Sequence, residues 1–136
     1  MPIVRVPSDS TNVRAISRAE GGGISATETF QISIERAEAY EAQLVPALFE
    51  EWAGRLVVAT GVSPGHRVLD VACGTGIVAR TAAGPVGGGG NVVGLDLNEE
   101  MLTVARRVRP DLEWRQGDAA RLPFPDRSTS CCVSRG

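Results

Sequence analysis

Three carboxylates and a closely spaced pair of glycines are the residues whose types and spacing could do chemistry. Asp70, Asp96 and Asp118 fall at or near the ends of the runs Val68-Leu69-Asp70-Val71-Ala72, Asn91-Val92-Val93-Gly94-Leu95-Asp96 and Leu112-Glu113-Trp114-Arg115-Gln116-Gly117-Asp118. Each run reads as a strand ending in an acid, and open α/β sheets take their ligands at the carboxyl ends of strands. Cys73-Gly74-Thr75-Gly76 follows the first acid. Without a Cβ the glycines let the backbone approach a ligand closely. A helix beginning near Thr75 would aim its unpaired first amides at the turn. A small nucleoside-type ligand fits this layout. Asp96 follows Gly76 by twenty residues, close to the spacing of a ribose-binding acid, and a carboxylate can accept hydrogen bonds from both ribose hydroxyls. Leu97 then lies against an adenine face and Met101 lines its pocket. The plainer alternatives are a strand-end acid facing water and a methionine filling the core.

Two ligand classes compete for the glycine turn. Gly74-Thr75-Gly76-Ile77-Val78-Ala79 satisfies the dinucleotide pattern G-x-G-x-x-G/A. Asp70 weighs against it, because a carboxylate at that strand end would repel a pyrophosphate and welcome a cation. The segment Val68 to Gly76 resembles the first motif of the class I S-adenosylmethionine-dependent methyltransferases: apolar-apolar-Asp-apolar-x-Cys/Gly-Gly-x-Gly. The cofactor of that family, S-adenosylmethionine, carries a sulfonium and an α-ammonium. The resemblance implies that Gly74 and Gly76 lie against its methionine part and that Asp70 helps hold its amino end, with Ala72 among the cofactor-binding residues. It further implies that Gly117-Asp118-Ala119 reads the adenine, Asp118 taking the exocyclic amine and the Ala119 amide the ring nitrogen. Arg121-Leu122-Pro123-Phe124-Pro125-Asp126 is similar to the Leu-Pro-Phe-Pro-Asp of the menaquinone/ubiquinone-biosynthesis-like branch. The resemblance covers about Thr29 to Asp126. It implies an α/β fold with a Rossmann-like parallel sheet flanked by helices, a methyltransferase activity and a small-molecule methyl acceptor.

The elements that must position these residues follow from pattern. Met1 to about Ala26 reads as a disordered leader, polar and punctuated by Pro2, Pro7 and Gly21-Gly22-Gly23. Residues 27–60 read as amino-terminal helices, and 61–136 as the cofactor-binding half of a methyltransferase domain. Ala37, Tyr40, Leu44 and Val45 suggest a helix over Glu35 to Val45. Pro46 is expected to end or kink it and to open a second helix carrying Leu48, Phe49, Trp52, Leu56 and Val57. In the family such helices lie over the cofactor and acceptor, so Tyr40 either contacts them or packs in the core. Ala83 to Gly90 reads as a flexible turn, lacking the Gly-Lys-Ser/Thr ending of a phosphate loop. Asn98 is a plausible N-cap for the helix that carries Met101.

Composition narrows the class. A chain of 136 residues with 43% hydrophobic content suits one domain. A net charge of -2 without a basic block gives no reason to expect nucleic acid or an anionic membrane as partner, and no run approaches a membrane span. Cys73, Cys131 and Cys132 lack metal-ligand spacing, so no metal is expected. Reduced thiols in a cytoplasmic protein fit best. His66, the single histidine, reads as a loop residue rather than an activator of Cys73.

The family's sheet has seven strands, with the first between the second and fourth. Its fourth strand begins Phe-Asp and continues apolar, whereas here Thr129 and Ser130 stand near that place and the tail is polar. Truncation after about the third or fourth strand is therefore expected. Arg127 to Gly136 can be encoded so that a one-base shift reads Phe-Asp-Val-Val-Leu-Cys-Gln-Gln-Gly, which makes a single-base slip near Arg127 an expectation for gene sequencing to decide. A missing fourth strand would leave the first with an open edge, inviting self-association. Without the acceptor half, weak activity or none is expected, since positioning supplies much of the rate. The alternative readings are an NAD-dependent oxidoreductase, carried by the glycine spacing alone, and a non-catalytic partner module. No catalytic base is identifiable.

Overall fold

A computed structural model describes residues 31–121 and the backbone of 130–133. The expected leader, the Leu-Pro-Phe-Pro-Asp segment and most of the carboxyl-terminal tail lie outside the described residues. The elements in order are α1 (Ile34–Ala39), a π-helical segment (Tyr40–Phe49), α2 (Glu50–Ala59), β1 (Arg67–Val71), α3 (Ile77–Val86), β2 (Asn91–Asp96), α4 (Glu99–Val108), β3 (Glu113–Gln116) and β4 (Ser130–Val133). The sheet is parallel throughout, in the order β3-β2-β1-β4.

β1 and β2 are buried on both faces, which explains their nearly unbroken apolar sequences. On one face Val68, Val92 and Trp114 pack with Ala53 and Val57 of α2, Val78 and Ala82 of α3, and Leu102 of α4. On the other, Leu69, Val71, Val93 and Leu95 form a second cluster. Register follows directly: Val68 lies beside Val92 and Asp70 beside Gly94, so the carboxyl ends of β1 and β2 come level.

Three expectations are corrected. Pro46 does not end the helical run. It sits inside a π-helical segment that runs from α1 into α2, and the change back to α winding falls at Phe49, where φ is -108°. Proline lacks an amide hydrogen and its ring crowds the preceding turn of an α-helix; the looser i→i+5 winding accommodates it. The turn read over Ala83 to Gly90 begins later, because α3 continues through Gly84 and Pro85 to the buried Val86. Apolar burial outweighs the weak local propensity of that last turn.

β1 does not keep the open edge expected from the sequence. Ser130–Val133 pairs with it in parallel, Val68 beside Ser130 and Val71 beside Val133. Backbone amides and carbonyls seek partners whatever side chains they carry, so a four-residue extended stretch covers the edge although its sequence departs from the family's pattern.

Candidate cofactor site

The turn after β1 has an unusual backbone. Ala72, Gly74 and Gly76, every second residue, take φ of 58°, 58° and 89°. For Ala72 this left-handed conformation costs roughly 1–2 kcal/mol, and strain of that kind gathers at ligand sites. The coil is held by its neighbours. The Cys73 amide donates to Leu95 O at 3.0 Å and the Gly74 amide to Asp96 Oδ2 at 2.8 Å. The other Asp96 oxygen accepts from the Asn98 amide at 2.8 Å. Each Asp96 oxygen thus has one backbone donor and keeps capacity to accept another hydrogen bond.

Asp70 lies beneath this turn, fully buried. Gly76 caps α3 without a side chain, and Asp70 serves in its place: Oδ2 accepts from the Ala79 amide at 2.9 Å. Oδ1 has no protein partner. Burial pushes its carboxyl up to about 7, the Ala79 amide pulls the other way, and the Asp96 charge adds to the rise. The same negative surroundings act nearby. Cys73 is raised chiefly by burial and then by Asp70 and Asp96, which keeps it a neutral thiol. Tyr40 is raised by burial, with Asp96 next, and stays a phenol able to donate.

Above the turn opens a cleft of about 610 Å³. Ala72, Gly74, Asp96, Asn98 and Met101 form its sheet side, and Tyr40, Phe49 and Trp52 its helical side. Positions nine apart in an α-helix lie two and a half turns round, on opposite faces. The π winding brings Tyr40 and Phe49 to one face, their rings stacked with centroids 5.6 Å apart. The helical arm is anchored by the largely buried ion pair of Glu41 with Arg80 of α3, and an exposed pair joins Glu38 to Arg107 of α4.

The structure therefore brings Ala72, Gly74, Asp96 and Met101 onto one wall. Asp70 sits under that wall rather than on it. Gly76 faces away from the cleft: a Cβ there would fall 2.2 Å from the Trp114 ring. Leu97 is 48% exposed and does not line the cleft. Asp118 and Ala119 are exposed. Asp118 Oδ1 accepts from the Ala120 amide at 2.8 Å, while Gly117 donates to Asp96 O at 3.0 Å, keeping this loop beside the tip of β2. Asn98 acts as the N-cap, accepting from the Glu100 and Met101 amides, and it also reaches the cleft. That second part was unread in the sequence, as were those of Trp114 and Arg80. His66 is structural, its Nδ1 accepting from the Ser63 amide. Among the described residues no three His, Cys, Asp or Glu side chains gather as a metal site, and no helix is long and apolar enough to cross a membrane.

These features fit a cationic nucleoside better than a dinucleotide. The Ala79 amide near the start of α3, where a pyrophosphate would sit, is taken by the buried Asp70. The Gly74 amide is taken by Asp96. What remains is an unpartnered carboxylate oxygen, a second carboxylate with capacity to spare and a largely apolar cleft, in keeping with a sulfonium, an ammonium and a ribose.

Strand-end carboxylates around a left-handed turn on a parallel sheet define the class I S-adenosylmethionine methyltransferase type. Residues 68–136 match the family described as a methyltransferase domain, and the chain belongs to that family; its cofactor is S-adenosylmethionine. Similar curated proteins include a demethylmenaquinone methyltransferase of Renibacterium salmoninarum, 47% identical over 78 residues, covering 57% of this chain and 31% of that protein. A 2-phytyl-1,4-naphtoquinone methyltransferase of Synechocystis is 44% identical over 81 residues, covering 55% and 34%. The chain thus spans about a third of the length of these relatives. Of solved structures, TrmN from Thermus thermophilus matches at 30% identity with a TM-score of 0.55, over 68% of this chain and 28% of that one. A SAM dependent methyltransferase from Aquifex aeolicus, at 22% identity and a TM-score of 0.57 over 69% and 52%, shares the fold.

Proposed function

We propose that this chain is the cofactor-binding part of an S-adenosylmethionine-dependent methyltransferase acting on a small quinone-like acceptor. The observation that carries the reading is the juxtaposition of Asp96 with the left-handed Ala72-Cys73-Gly74 turn, joined by the 2.8 Å bond to the Gly74 amide, at the floor of the cleft. The acceptor class rests on the names of the relatives and on the aromatic and aliphatic helical wall.

The cofactor supplies an electrophilic methyl group. Asp96 accepts hydrogen bonds from the ribose hydroxyls, and Met101 flanks the base. Asp118 and Ala119 read the adenine once their loop folds inward from its exposed position. Asp70 lies beneath the methionine end, where a bound cation would favour its ionised form, and Gly74 and Gly76 shape the turn. Tyr40, Phe49 and Trp52 exclude water from the acceptor side. Among the described residues the cleft's titratable groups are Asp96, Tyr40 and Cys73, and none is a ready base: Asp96 is engaged by two amides and the ribose, and the other two stay protonated. The acceptor is therefore either already nucleophilic or activated by residues outside this chain, and this chain by itself binds cofactor with weak turnover or none.

Among the described residues, 31–60 form the helical cover and 61–121 the cofactor-binding half. The protein is cytoplasmic. Self-association, where it occurs, uses β3 or β4, the outer strands of the described sheet, rather than β1.

Titration with S-adenosylhomocysteine tests the reading, with NAD as the comparison. Saturable binding and a thermal shift with S-adenosylhomocysteine alone are the expected results. A shift with NAD alone would support the oxidoreductase alternative, and no binding of either at millimolar ligand would overturn the cofactor assignment.

A further inference from the structure

Trp114 on β3 lies outside the cleft, yet it touches both glycines that frame the cofactor turn. A Cβ built on Gly76 meets its ring at 2.2 and 2.5 Å, and one on Gly94 meets it at 2.4 Å. The indole is 8% exposed. Its orientation is fixed at the far end, where Nε1 donates to Arg109 O at 2.8 Å. Gly76 closes the turn after β1, and Gly94 lies two residues before Asp96 on β2. One rigid ring therefore fills the space between the segment that presents Gly74 and the strand that presents Asp96. These are the two partners of the 2.8 Å bond at the floor of the site.

We propose that Trp114 is a positioning residue for cofactor binding: its indole, wedged between Gly76 and Gly94, sets the separation of the Gly74 turn from the Asp96 carboxylate. The residue acts through both glycines and touches no ligand. The two glycines are conformational and steric complements to the ring, and the volume at position 114 controls affinity. Interiors are close-packed, so a smaller side chain leaves space into which the turn collapses or fluctuates. A misplacement of this kind weakens binding even where the fold persists.

The inference rests on the cofactor reading above, and the experiment separates the two. S-adenosylhomocysteine affinity and melting temperature are measured on the full chain for the wild type, W114F, W114L, G94A, G94A/W114L and V86A. Val86 is also buried, at 2% exposure, but lies at the distant end of α3. Failure of the wild type to bind removes the cofactor assignment, and this proposal with it. With wild-type binding established, W114L is expected to weaken affinity about tenfold and W114F less. V86A should lower the melting temperature while holding affinity within about twofold. G94A alone should weaken binding, and should add less in the W114L background, because the ring, its nearest obstacle, is gone and only Cys73 Sγ at 3.0 Å remains. Should W114L fail to fold, W114F and G94A carry the comparison. If the Trp114 and Gly94 variants lose no more affinity than V86A, or if the double variant is simply additive, Trp114 is an ordinary core residue and the proposal falls.

Discussion

Glu41 and Arg80, on the π-helical segment and α3, meet in a two-pronged ion pair: Nη1 lies 2.7 Å from Oε1 and Nη2 3.1 Å from Oε2. Both side chains are largely buried, at 21% and 11% exposure. The pair joins the helix bearing Tyr40 to the helix that begins at the cofactor turn. Removing one partner strands the other, so E41Q is expected to cost about 1–3 kcal/mol in chemical denaturation. The exposed Glu51–Arg55 pair within α2 is the control: E51Q should cost less than about 1 kcal/mol. Equal losses would mean that the helical arm is not anchored through Arg80.

Asp96 serves the backbone and the ligand together. In D96N the amide nitrogen would face a donor, either the Gly74 or the Asn98 amide, and the negative charge would vanish. Weaker S-adenosylhomocysteine binding is expected, by about 10- to 100-fold, or roughly 1.4–2.8 kcal/mol. Calorimetric titration checks this. Unchanged affinity would remove Asp96 from the site.

Asp70 should give stability a pH dependence of unusual sign for a carboxylate. Its carboxyl rises from an ordinary 3.8 to about 7 in the folded chain, chiefly through burial. Between those values the folded chain keeps a proton that the unfolded chain has released. Stability therefore falls as pH rises through this window and levels off above it. The expected fall from this group is on the order of a few kcal/mol, and D70N should abolish it. Melting temperatures measured from pH 4 to pH 8 on both proteins decide the matter, and parallel curves would show that Asp70 is ionised throughout.

Two glycines should respond oppositely to alanine. Gly76 combines φ of 89° with a Cβ position inside the Trp114 ring, so G76A should destabilise by about 2–5 kcal/mol, the left-handed and overpacking costs together. Gly54 lies within α2, with nothing within 4 Å of where its Cβ would stand. G54A should stabilise by about 0.5–1 kcal/mol. Urea denaturation of the two variants reads both signs.

Much of this architecture was legible because its determinants are local. The apolar runs ending in Asp70 and Asp96 are strands buried on both faces. Asn98 caps α4 as its sequence position suggests, and the spacing from Gly76 to Asp96 reflects one strand-helix-strand unit. What escaped depends on residues far apart in sequence. Gly76 satisfies a ligand motif, yet the space it leaves is filled by Trp114, and no local pattern joins the two. Pro46 reads as a helix break because its fit within π winding depends on the helices packed around it. Asp118 carries the family's motif but stands exposed, beside a segment outside the described residues. β4 pairs with β1 through backbone hydrogen bonds, of which its sequence pattern gave little notice.

That last pairing has a consequence for how the chain is made. β1 is central in the sheet, and the stretch that closes its second side, beginning with Ser130 beside Val68, leaves the ribosome well after β1 itself. Contacts so distant in sequence form slowly, because a long loop must close before they yield any gain. Until then the nascent β1–α3–β2 unit presents the bare amides and carbonyls of β1 to its surroundings, the kind of strand edge that mispairs during folding.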